Sequence, residues 1–287
     1  MIVPALQDAA LLADIVAGRS ADARHLRLWW LGQSGFLLQW QGRHLLFDPY
    51  LSDSLTHKYA ATDNPHVRMT ARAIDPAALD VIDVVTSSHS HTDHLDPDTL
   101  RPLLRVNPDV VLVIPEVNRQ LVAERLAIDV ARPIGLAVGQ IVDVGPFRIE
   151  AVPAAHEQLD PQYLGYVVRC GPWRVYHSGD TLRYEGMVDL LRRHAIDVAL
   201  LPINGRAPER RVAGNLAAVE AATLGKAIGA RTVIPCHYEM FAFNTADPAQ
   251  FVAACHAAGQ RGDPLRCGQR WSTASLGSGT ASSALPR

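Results

Sequence analysis

Residues 87–96 read SSHSHTDHLD, which places His89, His91, Asp93 and His94 within six positions. Three residues of the same chemical kind follow: His156 in FRIEAVPAAHE, Asp180 in WRVYHSGD and His237 in RTVIPCH. Imidazole nitrogens and carboxylate oxygens together suit zinc, manganese or iron. In an extended segment the side chains of His89, His91 and Asp93 share one side, and His94 turns to the other. Three ligands for each ion, with Asp180 shared, would hold two divalent ions: zinc first, with manganese or iron also accepted. Such ions lower the pKa of bound water so that hydroxide exists near neutral pH. The chemistry expected is hydrolysis, with hydroxide attacking a carbonyl carbon or a phosphorus. Asp93 and Asp180 are the expected catalytic carboxylates, holding the ions and accepting a hydrogen bond from the hydroxide. A lone histidine after a strand is usually an ordinary hydrogen-bonding residue. Seven such residues, each just past an apolar run, are not accounted for that way.

Other residues have a plain structural role to set against a functional one. His177, three before Asp180, could orient a ligand or simply bond within its strand. Arg206 in PINGR could grip a phosphate or carboxylate in bidentate fashion, or form a surface ion pair. Tyr238 and Phe241 follow His237 and could form an apolar wall of a substrate pocket. Asn215 reads as a helix N-cap. Arg210 and Arg211 read as solvated, and His57, Lys58, His66 and Arg68 could line an entrance.

The elements that must position these groups can be read from periodicity. Helical spacing covers 5–17, and strand formers fill 26–31, 35–40 and 43–48. Residues 51–73 show no period and read as a long irregular excursion. The apolar run 81–87 enters the histidine cluster, and Asp96-Pro97 then reads as an N-cap with proline in the first helical turn. Strands follow at 110–114, 129–131, 140–144 and 147–153, then a hairpin built on YLGYVVR and WRVYHSGD. Strands 197–203 and 231–236 alternate with helices near 184–194, 215–228 and 248–258, and another helix lies near 116–126. The pattern predicts an α/β protein of mixed sheets covered by helices, with every candidate ligand at a strand's carboxyl end. Residues 1–272 read as one domain, and the tail 273–287, poor in large apolar residues, reads as flexible.

Bulk properties narrow the classes. Hydrophobic residues make up 48% and net charge is −2, which describes a folded chain without the basic surface of a general nucleic-acid binder. Four cysteines, none in a CxxC pair, do not suggest a disulfide framework. The first residues carry Asp8 and Asp14 and no basic stretch, so no signal peptide is expected. No apolar run is long enough to span a membrane, and the expected location is cytoplasmic.

The HxHxDH run, followed by His156, Asp180 and His237, resembles the metallo-β-lactamase superfamily from about residue 26 to 260. That resemblance implies an αββα sandwich with a dimetal site along one edge. Asp48, in LLFDPY, resembles the superfamily's early aspartate, which supports the site without binding metal. WWLGQSGF, VYHSGD, LLPINGR and VIPCHYEMF resemble the branch that holds L-ascorbate-6-phosphate lactonase, which shades into lipid phosphodiesterases. The resemblance implies a lactone or ester of a small anionic, sugar-phosphate-like molecule as substrate. A phosphodiesterase is the alternative, and a non-catalytic metal-binding protein a third reading. Related lactonases assemble, so a homo-oligomer is possible, although the sequence presents no readable interface.

Overall fold

The computed structural model describes residues 1–19 and 24–276. The first sheet begins with three consecutive antiparallel strands, β1 (Arg27–Gly32), β2 (Gly35–Trp40) and β3 (Arg43–Phe47). Nearly all their residues are buried, which explains why they read as apolar runs rather than as alternating strands. Then β4 (Val84–Thr86), β5 (Val111–Pro115) and β6 (Ile134–Leu136) add in parallel, and β13 (Arg270–Ser272) closes the other edge against β1. The second sheet runs β12-β11-β10-β9-β8-β7. Its strands are β7 (Ile141–Val144), β8 (Phe147–Ala155), β9 (Leu159–Cys170), β10 (Trp173–His177), β11 (Val198–Pro202) and β12 (Thr232–Cys236).

The predicted α/β architecture is therefore present: two mixed sheets flanked by helices. One continuous cluster of buried apolar side chains runs from Leu11 to Trp271. Helix α6 (Ala218–Ile228) packs on β11 and β12 and against α7 (Pro248–Ala258). Helix α1 (Asp8–Gly18) is tied to the first sheet by Trp29 Nε1 donating to Asp14 and Gln39 Nε2 donating to Ile15 O, α3 (Pro97–Val106) packs against α4 (Arg119–Leu126), and α5 (Met187–Arg192) adjoins α6.

Strand polarity decides where the site lies. β1 and β3 run with β4, and β8 runs with the parallel trio β10, β11 and β12. Their carboxyl ends meet at one edge, bridged there by Tyr166 Oη donating to Ser87 O (3.0 Å) and Leu164 N to Ser88 O (3.0 Å).

Four elements differ from the sequence reading. The strand expected at 129–131 is a turn held by Asp129, which accepts from Ala131 N at 2.8 Å, and the strand forms at β6 instead. β13 was not anticipated: three residues are too few to show a period. The excursion contains one short helix, α2 (Ser54–Tyr59). Thr273–Leu276, assigned to the flexible tail, forms a 3-10 turn with Thr273 buried; residues 277–287 lie outside the described residues.

Asp96 joins the excursion to the cluster. It caps α3 as expected, and its carboxylate also accepts from Thr99 Oγ1 (2.5 Å), Ser52 Oγ (2.6 Å) and Ser54 Oγ (2.9 Å). Asp96→Ala removes the cap and leaves three hydroxyls without their acceptor. A stability loss of roughly 2–3 kcal/mol is expected, read by urea denaturation; an unchanged midpoint would contradict this role.

Candidate metal centre and its cleft

The seven candidate ligands converge although they come from four strand ends. His89, His91 and His156 bring ligand atoms within 4.8 Å of one another, and so do Asp93, His94 and His237. Asp180 stands between the two groups: Oδ1 is 3.3 Å from His94 Nε2, while Oδ2 is 3.2 Å from His237 Nε2 and 3.7 Å from His156 Nε2. The structure thus brings the seven residues together as two groups of three with Asp180 between them.

These residues fit a pair of metal ions on their own chemistry. His89 Nε2, His94 Nε2 and Asp180 Oδ1 are buried without a hydrogen-bond partner among the described residues. Orphaned buried polar atoms are costly, and here they point into a shared space. His91 Nδ1 and His156 Nε2 approach to 3.2 Å, a contact that two bare lone pairs would not favour.

The supporting contacts are specific. Asp48, fully buried, accepts from His94 Nδ1 at 2.7 Å, from Ser88 N at 3.0 Å and from the Ser88 hydroxyl. This leaves His94 Nε2 facing Asp180. Ser88 Oγ also lies 3.0 Å from His89 Nδ1. Gly179 precedes Asp180 at φ +59°, and a Cβ there would lie 2.6 Å from Ser88 Cβ. Three non-glycine residues at this edge occupy the left-handed region, Gln33 (φ 49°), Asp48 (φ 38°) and His237 (φ 61°). Such strain gathers where the surroundings dictate a side chain's aim.

Gln33 was not singled out from the sequence. It sits in the turn between β1 and β2, fully buried, with Nε2 donating to Asp93 Oδ2 at 2.8 Å and lying 3.0 Å from His237 Nε2. Its carbonyl accepts from His237 N (3.0 Å) and Trp30 Nε1 (2.9 Å). The available signal was an amide flanked by glycine-rich backbone between two largely apolar strands.

Five expectations are corrected. Arg206 does not line the cleft: its guanidinium is held by both oxygens of Glu220, each at 2.8 Å. Tyr238 is a core residue, stacked on Trp30 with ring centroids 4.3 Å apart and donating to Leu265 O. His177 touches no candidate ligand's side chain; Nε2 donates to Ser34 O at 2.9 Å, Nδ1 accepts from Gly179 N at 3.4 Å, and the ring stacks on Phe47. It thus fixes the backbone beside Asp180. Nor does Asn215 cap α6, whose N-cap is Ala217. Arg210 is not simply solvated, since it bonds Asn204 O and Thr245 O, whereas Arg211 is exposed as expected and pairs with Asp63 at 2.8 Å on the surface.

Above the candidate ligands opens a cleft of about 410 Å³. Its floor includes His91, Asp93, His156, Asp180 and His237. One wall is aromatic: the His66 ring stacks on Tyr59 (4.1 Å) and lies against Phe243 (4.4 Å) and Phe241 (5.4 Å). Lys58 and His66 line the cleft as expected, whereas Arg68 is buried behind it, donating to Ser52 O and Thr70 O.

A model of the Beta-lactamase superfamily domain matches residues 43–238. A UPF0173 metal-dependent hydrolase of Opitutus terrae is 34% identical over 251 residues, covering 84% of this chain and 96% of the relative. The chain belongs to this metal-dependent hydrolase family of the beta-lactamase superfamily. Another family member, from Aeropyrum pernix, is 31% identical over 78% of this chain and 87% of its own. Among solved structures, the metallo hydrolase Igni18 from Ignicoccus hospitalis aligns with a TM-score of 0.65 at 23% identity, over 86% of this chain and 98% of that one. An isothiocyanate hydrolase from Delia radicum gut bacteria aligns at 0.68 and 18% identity, over 85% and 98%. Both likenesses establish a shared fold. Among the described residues no helix is long and apolar enough to cross a membrane.

Within this hydrolase the two ligand groups differ in charge. Burial pushes the pKa values of His89 and His156 down, aided by neighbouring imidazoles against the pull of Asp180. Burial acts the same way on His94 and His237, but Asp180 and Asp93 outweigh it, raising His94 and bringing His237 to about 9. Both carboxylates are held ionised by these imidazoles in spite of their burial. A proton on His94 or His237 must leave before that nitrogen can ligate a metal. Metal uptake at neutral pH should therefore release protons, and apparent affinity should rise with pH until His237 deprotonates near 9. Calorimetry in buffers of different ionisation enthalpy measures this; uptake with no proton release would contradict it. Gln33→Ala should weaken metal binding by about tenfold at the Asp93–His94–His237 group. Equilibrium dialysis with metal analysis reads the second binding step, and an unchanged value would remove Gln33 from the centre.

Proposed function

We propose that this hydrolase cleaves a lactone or ester of a small anionic molecule, as the resemblance to the lactonase branch suggests. The carrying observation is the pair of ligand groups sharing Asp180 on the floor of an open cleft. His89, His91 and His156 would hold one divalent ion and Asp93, His94 and His237 the other, with Asp180 common to both. Bound there, two such ions supply hydroxide at neutral pH and polarise the substrate's oxygen. Zinc suits the histidine-rich set, and manganese or iron are accepted by it as well.

The chain's own residues do the rest. Asp93 and Asp180, ionised at neutral pH, are the hydrogen-bond acceptors on the floor, and Gln33 fixes the Asp93 carboxylate through Oδ2. Asp48 keeps His94 turned by a bond to Nδ1. Leu55, Tyr59, Phe241 and Phe243 shed water from the wall, which strengthens the electrostatics of the floor. A carbonyl centre is favoured over a phosphodiester because a diester brings one negative charge to the reacting centre and develops a second. Beyond the floor, Lys58, Arg125 and His66 are the only basic groups among the described residues that line this cleft. All four cysteines are free and buried, which suits the reducing cytoplasm.

Metal-loaded protein should hydrolyse members of a lactone and p-nitrophenyl ester panel faster than bis(p-nitrophenyl) phosphate. His91→Ala should lower kcat/KM by at least about 100-fold together with metal content. Preference for the phosphodiester would replace this reading with the phosphodiesterase one. Metal-loaded protein that turns over neither class would favour a binding protein.

A further inference from the structure

We infer that Arg125 forms an oxyanion subsite of the cleft, which anchors a carboxylate or phosphate group of the substrate beside the His91–His156 end of the floor. The inference rests on the reading of the cleft as a substrate site, and it replaces Arg206, which Glu220 occupies.

The argument begins with what the guanidinium touches. Arg125 lies in the last turn of α4, half-buried, and lines the same cleft as His91, Asp93 and His156. Among the described residues its one side-chain hydrogen bond goes from Nη1 to Ser90 O, the carbonyl immediately before His91. Arg101 Nη2 donates to the Arg125 carbonyl, which ties down its backbone and leaves the guanidinium alone. No carboxylate among the described residues pairs with Arg125. The contrast with its neighbours is plain: Arg119 on the same helix is clamped by Glu116, and Arg211 by Asp63. Burial lowers the Arg125 pKa with no carboxylate to offset it. Partly withdrawing a cation from water costs free energy unless a partner returns it. A guanidinium carries five N–H donors in a planar fork, and four of these five are left for an anion.

Location gives the subsite its use. Because Arg125 is bonded to Ser90, the residue joined to His91, an oxyanion on its fork sits beside the His91–His156 group. The aromatic wall of Tyr59, His66, Phe241 and Phe243 belongs to the α2 and His237 side. A substrate with an anionic head and an apolar or flat body would lie across the floor in one direction. Glu157 reaches the same rim and forms no ion pair among the described residues, so the guanidinium is not spent on it.

The test compares two p-nitrophenyl esters on metal-loaded protein: the neutral butyrate and the glutarate monoester, which carries a free carboxylate. The glutarate is expected to be preferred in kcat/KM, mainly through KM, and Arg125→Gln should cut that preference by about tenfold. Arg125→Lys should restore part of it. An unchanged preference in Arg125→Gln would overturn the subsite. If neither ester is hydrolysed, the hydrolytic reading suffers, and calorimetric titration with benzoate and with phenyl phosphate still decides the subsite. Weakening of either by about tenfold in Arg125→Gln supports it and tells which anion it takes; equal binding of both by the two proteins overturns it.

Discussion

The candidate centre depends on one buried carboxylate. Asp48 is completely enclosed, and a charge in such a place costs several kcal/mol unless its oxygens are matched. They are matched by the His94 imidazole, the Ser88 amide and hydroxyl, and the Thr86 hydroxyl at 3.3 Å. Each of these partners belongs to β4 or to the loop that leaves it. The turn after β3 therefore fixes the turn after β4. The left-handed backbone at Asp48 is sustained because its surroundings specify it at several atoms. With His94 so held, its other nitrogen faces Asp180 from the second sheet, and the two sheets meet through that pair.

Around this hub the fold supplies convergence at small cost in special structure. Seven strands direct their carboxyl ends to one edge, so a few residues past each strand suffice to gather the polar groups. The protein then divides the gathered imidazoles by environment. His89 and His156 are held toward the neutral state, while His94 and His237 sit between two carboxylates that push their pKa values up. One constellation thus offers a set of nitrogens ready for a cation and a second set that must first give up protons.

Much of this was legible in the sequence. Strands buried on both faces announce themselves as apolar runs, and the residue that ends each run can be counted off; this is how His156, Asp180 and His237 were placed. Asp96 and Pro97 carried the local chemistry of a helix start, and α3 begins there. What could not be read is contact between distant segments. Gln33 meets Asp93 across sixty residues and Arg125 meets Ser90 across thirty-five, with no local signature in either case. Arg206 and Tyr238 failed for the same reason. Their partners, Glu220 and Trp30, were invisible, so proximity in the chain to LLPIN and to His237 stood in for proximity in space. His177 shares a strand end with Asp180 yet turns into the core against Phe47.

The excursion after β3 is tethered rather than loose. Ser52 and Ser54 bind Asp96, Met69 N donates to Met240 O at 2.8 Å, and Asp63 holds Arg211. Its fastenings reach the candidate centre through Asp96, behind the histidine loop, and through the backbone at 239–242 after His237, while its inner face supplies Lys58, Tyr59 and His66 to the cleft. Part of the cleft's lining is thereby carried on a stretch of chain separate from the seven residues on its floor. Drift within α2 and the residues after it can reshape what enters without disturbing the seven residues beneath. A lineage built this way can keep its chemistry fixed while its diet changes.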